Sequence, residues 1–173
     1  MFRTISLALL AGSVVACLTL PSIAHVTVAP AEAPLGTVQR YCIRVPSEKS
    51  IPTVGIEVQF PDNLEVTAIE TPPGWRGTAH KGRSGRIVSA NWEGGTILPK
   101  QYLVFGVLAR NPAAQTTLSW QAIQTYQDGS EVHWVGPPRA QFPAAVTRVR
   151  TSSELPPSAS ACSQEASSSP NSR

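Results

Sequence analysis

The sequence lacks the common motifs by which many enzymes and nucleic-acid-binding proteins are recognised. It contains no Gly-x-Ser-x-Gly elbow, no phosphate-binding loop and no dinucleotide-binding fingerprint. Only 14% of its 173 residues are charged, and its formal net charge of +3 is too small to indicate a nucleic-acid partner. After residue 20 no apolar run approaches the roughly 18 to 20 residues that cross a bilayer. We therefore expect no nucleic-acid partner and no transmembrane helix in the mature chain.

Cysteine is also scarce, with three residues in the chain. Cys17 lies in the N-terminal apolar run, Cys42 in a predicted strand and Cys162 in a polar tail. In an oxidising compartment Cys42 and Cys162 could pair, but the sequence leaves this open. No cysteine spacing matches a zinc or redox motif.

The first 24 residues have the pattern of a secretory signal peptide. Arg3 supplies the positive end, residues 5–20 form the apolar run, and Ser-Ile-Ala at residues 22–24 provides the small residues of a cleavage site. Cleavage there makes His25 the first residue of an exported protein, either periplasmic or secreted. The alternative is a lipoprotein box, Val-Val-Ala-Cys at residues 14–17, which would leave lipid on Cys17 and place His25 inside the chain.

Proline and glycine are frequent, with 16 and 12 residues. They separate short β-prone segments from residue 25 to about residue 150, where no convincing amphipathic helix of ten residues occurs. This pattern predicts an all-β sandwich of antiparallel strands over residues 25–150. Residues 151–173 are rich in serine and proline, which predicts a disordered tail.

The predicted strands follow from apolar alternation and from the turn residues between them. They cover residues 26–29, 39–45, 54–60, 64–69, 75–80, 86–92, 101–109, 116–126, 131–135 and 146–149. Residues 33–36 are expected to form a turn, and Gly94 with Gly95 is expected to begin a connection between strands.

A mature N-terminal histidine carries two nitrogen ligands in one residue. The free amine and the ring Nδ1 of His25 can close a chelate on one metal ion. Nitrogen ligation of this kind suits copper(II) best among the divalent ions. Many mature chains begin with an arbitrary residue, however, so His25 alone gives only a weak metal hypothesis.

An anionic oxygen would complement such a nitrogen pair. The candidates are Glu48, Glu57, Asp128 and Glu131. Glu57 falls on the polar face of a predicted strand, where a solvated carboxylate is the simpler interpretation. Glu48 lies in a loop bounded by prolines at a strand end, where side chains often serve binding.

The remaining histidines and the tryptophans have simpler structural interpretations. His80 lies near a glycine-rich hairpin tip and is expected in solvent. His133 and Trp134 are adjacent on one strand, so their side chains should point to opposite faces of the sheet. Core packing is predicted for Trp75, Trp92 and Trp120. For Trp134, which ends a strand, core packing and an edge pocket both remain open.

Several motifs together resemble the YcnI-type copper-binding domain of bacteria, across nearly all of residues 25–149. They are Ala-His-Val-Thr-Val at 24–28 with Pro30, Arg-Val-Pro-Ser-Glu-Lys at 44–49, Pro-Gly-Trp at 73–75, Gln-Thr-Tyr-Gln-Asp-Gly-Ser at 124–130, and Trp134 followed by Gly136 and Pro137.

This resemblance implies an extracytoplasmic immunoglobulin-like sandwich that binds copper(II) without turnover, as a buffer or carrier in copper homeostasis. It implies a single-histidine brace formed by His25, with Glu48 and Trp134 completing the site. The expected partners are the copper ion and a copper transporter or other copper-homeostasis protein.

Two other functions stay open at this level. A copper enzyme with a two-histidine brace would need a second histidine, and only His80 or His133 could supply it. A periplasmic binding module without metal would share the predicted fold, which by itself does not decide function.

Overall fold

The structure is a computed structural model that describes residues 25–155. Within this range it contains eleven β-strands and one short 3-10 helix, η1 (Ser152–Glu154). The strands are β1 (Thr27–Ala29), β2 (Glu32–Pro34), β3 (Val38–Pro46), β4 (Thr53–Gln59), β5 (Glu65–Ile69), β6 (Arg76–Lys81), β7 (Ile87–Ile97), β8 (Tyr102–Arg110), β9 (Thr116–Tyr126), β10 (Glu131–Trp134) and β11 (Ala145–Arg150).

The strands form one long sheet that folds over on itself. Their order is β1-β3-β8-β5-β7-β4-β9-β11-β2, with β10 also paired to β9 and β6 to β7. All pairings are antiparallel except that of β11 with β2. The edge strand β1 packs against β11, which brings the two ends of the sheet together.

The folded sheet makes two layers, one that contains β3 and β8 and one that contains β7 and β9, and aromatic side chains fill the space between them. Tyr41 on β3 packs against Trp120 on β9, with ring centroids 4.8 Å apart. Phe105 on β8 packs against Trp92 on β7 at 5.1 Å. Because each contact joins one layer to the other, the molecule is an all-β sandwich, as the sequence predicts.

Alternation along the strands explains why these side chains point inward. On β3, Tyr41, Ile43 and Val45 are buried while Arg44 is exposed. On β9 the buried positions are Leu118, Trp120, Ala122, Gln124 and Tyr126. The inward face of β9 is therefore apolar or aromatic except at one amide.

Two local expectations were wrong. Residues 32–34 form β2, which pairs in parallel with β11, where a turn was expected from residue 33. Gly94 and Gly95 lie inside β7, which continues to Ile97. A Cβ at Gly95 would overlap the indole of Trp75, so this glycine serves a close contact between strand and ring and not a turn.

Part of the sequence lies outside the described residues. This part includes the expected leader (residues 1–24), most of the expected tail (residues 156–173), Cys17 and Cys162. Cys42 is disulfide-bonded. No helix among residues 25–155 is long and apolar enough to cross a membrane.

Candidate metal centre

His25 and Trp134 lie side by side in the structure. Their ring centroids are 5.7 Å apart, and the rings meet edge to face at 79°. The Trp134 side chain is buried, and its ring also packs against that of Phe142, with centroids 5.4 Å apart. His25 is half-buried two residues before β1 begins. The fold thus brings together His25, from the start of the domain sequence, and Trp134, from the last residue of β10.

Strand pairing also brings His25 to the segment that carries Glu48. In the β1 and β3 pair, Thr27 lies opposite Arg44 and the strands are antiparallel. Continued for two residues, this register sets His25 opposite Pro46. Pro46 is the last residue of β3, and Glu48 follows two residues later.

Glu48 is exposed, and its charge acts on the nearby tyrosine at the end of β9. Burial is the main reason that the pKa of Tyr126 is raised, and the negative charge of Glu48 raises it further. The next residue, Lys49, places its Nζ 4.1 Å from the centre of the Tyr126 ring. Lys49 Nζ also donates a hydrogen bond to Ser130 Oγ at 3.0 Å. The loop that carries Glu48 is therefore fastened to the turn between β9 and β10.

Gln124 connects Trp134 to this same loop, and we did not identify it from the sequence. Its side chain is fully buried and accepts a hydrogen bond from Trp134 Nε1 at 3.0 Å. Its Nε2 donates to the carbonyl oxygen of Pro46 at 2.8 Å and to Thr53 Oγ1 at 2.6 Å. The signal for Gln124 was present in the sequence, because it is the one amide on the inward face of β9.

Ser47, the residue between Pro46 and Glu48, is fixed by three hydrogen bonds to other segments. Thr53 Oγ1 donates to Ser47 Oγ at 3.2 Å. The backbone N–H of Ser47 donates to the carbonyl of Gln101, and the carbonyl of Ser47 accepts from the N–H of Lys100. These bonds tie the start of the Glu48 loop to the connection between β7 and β8.

The other candidate oxygen and nitrogen ligands lie elsewhere or have other partners. Glu57 is half-buried in the middle of β4, on the face opposite to the buried Ile56 and Val58. His133 Nε2 lies 3.0 Å from Glu131 Oε2 on the outer face of β10, so the prediction that His133 and Trp134 face opposite ways is confirmed.

The remaining predicted positions agree largely with expectation. The ring of His80 is exposed, and its Nε2 lies 2.7 Å from Asn91 Oδ1. Trp92 and Trp120 are buried in the core, as predicted. Trp75 is only half-buried and packs edge to face on Phe105 at 5.1 Å.

The described residues contain no group of three or more histidine, cysteine, aspartate or glutamate side chains that could hold a metal ion. A site of the single-histidine kind needs no such group, because the amine of the first residue replaces a second side chain. The His25 imidazole lies beside an indole and near the loop that carries the Glu48 carboxylate. With the amine of a first-residue histidine, these nitrogen and oxygen donors would suit copper(II).

Comparison with known proteins assigns the chain to a family. Residues 25–149 match the family described as a domain of unknown function, DUF1775. The chain belongs to this family. It is also 35% identical to the copper-binding protein CutI of Bacillus subtilis over 139 residues, which are 79% of this chain and 68% of CutI. The YcnI-like family identified from the sequence motifs is therefore confirmed.

Solved structures support the fold. A protein from Nocardia farcinica with an immunoglobulin-like fold is 31% identical and superimposes with a TM-score of 0.63, over 73% of this chain and 99% of that one. A cohesin module from Clostridium perfringens superimposes with a TM-score of 0.54 over 73% of this chain and 95% of the module. At 12% identity the cohesin likeness concerns the fold alone. The predicted immunoglobulin-like sandwich is thus confirmed.

Proposed function

We propose that this protein binds one copper(II) ion through His25 once His25 is the first residue of the chain. The amine and Nδ1 of His25 form the brace, Glu48 supplies an anionic oxygen, and the Trp134 ring covers one side of the ion. The contact between the His25 and Trp134 rings, at 5.7 Å between centroids, carries the proposal. The identity of 35% to a protein named for copper binding supports the choice of metal.

The brace depends on processing, because an amine inside a peptide bond is a poor ligand. We therefore propose export with cleavage between residues 24 and 25, and a periplasmic or secreted mature protein. Lipidation at Cys17 would leave eight residues before His25 and would remove the brace. Mass spectrometry of the exported protein separates these cases, since a lipidated chain that starts at Cys17 contradicts the proposal.

The proposed role is buffering or delivery of copper, with no catalysis. A two-histidine brace would need His80 or His133 beside His25. Instead, the His80 ring is hydrogen-bonded to Asn91 and the His133 ring is paired with Glu131. The partners that this role requires are the copper ion and a copper transporter or another copper-homeostasis protein that accepts it.

An N-terminal extension gives the most direct test. We expect the form that begins at His25 to bind one equivalent of copper(II) in a competition titration. A form that retains Ala24 keeps every side chain but loses the free amine at His25. Loss of an outer partner of a metal ligand costs about 10- to 100-fold in affinity, so losing a ligand should cost at least as much. Equal affinity of the two forms would disprove the brace.

A further inference from the structure

Only one of the two possible orientations of the Gln124 side-chain amide matches its hydrogen-bond partners. Trp134 Nε1 can only donate and the carbonyl of Pro46 can only accept. Gln124 Oε1 must therefore face the indole at 3.0 Å, and Nε2 must face Pro46 at 2.8 Å. The second amide hydrogen is directed to Thr53 Oγ1 at 2.6 Å. One fully buried side chain is thereby bonded to three fixed points.

Two of these three hydrogen-bond partners, Trp134 and Pro46, are connected to different parts of the proposed copper site. Trp134 carries the ring that touches His25. Pro46 ends β3 opposite His25 in the β1 register, two residues before Glu48. Trp134 and Pro46 are far apart in the sequence, and the described residues show no direct hydrogen bond between them. The Gln124 amide is the hydrogen-bonded bridge that joins them.

We propose that Gln124 is a positioning residue, which holds Trp134 and the segment from Pro46 to Glu48 at a fixed separation. This inference rests on the proposed copper site and adds how the site is pre-organised. A buried amide has a desolvation cost that an apolar side chain of the same size would avoid. Without this amide, the indole of Trp134 and the loop that carries Glu48 would have to become ordered when the ion binds. The free-energy cost of that ordering would lower the affinity for copper(II).

The chain provides a matched control for this amide. Trp120 also donates its indole N–H to a buried polar side chain, Thr147 Oγ1, at 3.2 Å. Thr147 Oγ1 in turn donates to the carbonyl of Pro30 at 3.1 Å. The pattern of hydrogen bonds is similar, but the aromatic neighbours of Trp120 are Tyr41 and Phe60 and not His25.

The experiment compares Gln124→Met with Thr147→Val in the form that begins at His25. Both substitutions remove a buried partner of an indole and should lower the melting temperature. We expect Gln124→Met to weaken copper(II) binding about 10- to 100-fold and to change the copper hyperfine splitting in the electron paramagnetic resonance spectrum. Thr147→Val should leave the affinity within about twofold and the spectrum unchanged.

Gln124→Glu is a second variant for the case in which Gln124→Met does not fold. Its carboxylate can still accept from Trp134 but has no amide to donate to Pro46. An affinity of folded Gln124→Glu below that of wild type, with a changed copper spectrum, supports the proposal. A folded Gln124 variant with wild-type affinity and spectrum overturns it, as does an equal loss of affinity in Thr147→Val. The wild-type titration tests the copper site separately, so failure of the site and failure of the positioning role are distinguishable.

Discussion

Two buried tryptophans of this sandwich have nearly the same local chemistry but different surroundings. Trp120 and Trp134 expose only 1% and 3% of their surface. Each donates its indole N–H to a buried polar side chain. That side chain donates in turn to the carbonyl oxygen of a proline, which lies at the end of a strand or just after it. Burial and hydrogen bonding alone therefore do not separate a core tryptophan from one at a candidate binding site.

The aromatic neighbours of the two rings make the difference. Trp120 is packed between Tyr41 and Phe60. Trp134 has Phe142 on one side and the half-buried imidazole of His25 on the other. The Trp120 cluster consists of aromatic core residues from three segments, whereas the Trp134 cluster includes a residue that can bind metal. We expect substitutions at the first to affect stability and substitutions at the second to affect copper.

The largest effect is expected at the core cluster. Trp120→Ala should lower the free energy of unfolding by about 3 to 5 kcal/mol, because it leaves a cavity beneath Tyr41. Denaturant unfolding measures this loss. The copper(II) affinity of the folded fraction should stay at the wild-type value, and a parallel fall in affinity would show that the two clusters are not independent.

The next effect concerns the charge of the loop beside the Trp134 cluster. Glu48→Gln should weaken copper(II) binding about tenfold, roughly 1.4 kcal/mol, because a neutral amide compensates less of the ion's charge. The melting temperature should hardly change, since Glu48 is exposed.

Glu57→Gln is the matched control for this prediction. Glu57 is a carboxylate of the same length on the outer face of β4, where it lies opposite Asn91 of β7 and outside the loop that follows β3. It should leave copper affinity unchanged in the same titration. If Glu57→Gln weakened binding and Glu48→Gln did not, the oxygen ligand would be misassigned although the brace could survive.

The strand pattern of this fold is predictable from sequence where alternation and turn residues agree. β9 has the predicted bounds, residues 116–126, because its apolar period is long and an Asp-Gly turn ends it. β2 escapes prediction because three residues carry too little pattern, and its partner β11 is far away in sequence. Gly95 is misread because a glycine beneath a ring and a glycine in a turn look alike until the ring's position is known.

The candidate site shows the same division between local and distant information. His25, Glu48 and Trp134 were assigned by motif, and their mutual placement depends on the pairing of β1 with β3 and of β10 with β9. Gln124 was visible as a polar residue on an inward face. Its partners Pro46 and Trp134 come from two other strands, so the role of its amide follows only from the folded chain.

A modest loss of affinity, comparable to that of Glu48→Gln, is expected from Trp134→Phe. The attraction of an aromatic face for a cation is about 0.5 to 2 kcal/mol and is strongest for tryptophan. Phenylalanine keeps a planar apolar ring next to His25, so copper(II) affinity should fall by no more than this amount. The substitution also leaves Gln124 Oε1 without its donor, which costs about 1 to 3 kcal/mol of stability.

Fluorescence distinguishes this prediction from a purely structural role. A copper(II) ion held by His25 would lie closest to Trp134, whose ring is 5.7 Å from that of His25. Copper(II) should therefore quench part of the tryptophan emission of the wild-type protein, and Trp134→Phe should remove most of that quenching. Trp120→Phe, which removes an indole from the core cluster, should keep it. If quenching persisted in Trp134→Phe while stability fell, Trp134 would belong with Trp120 as a core residue, and the ion would have to be sought away from its ring.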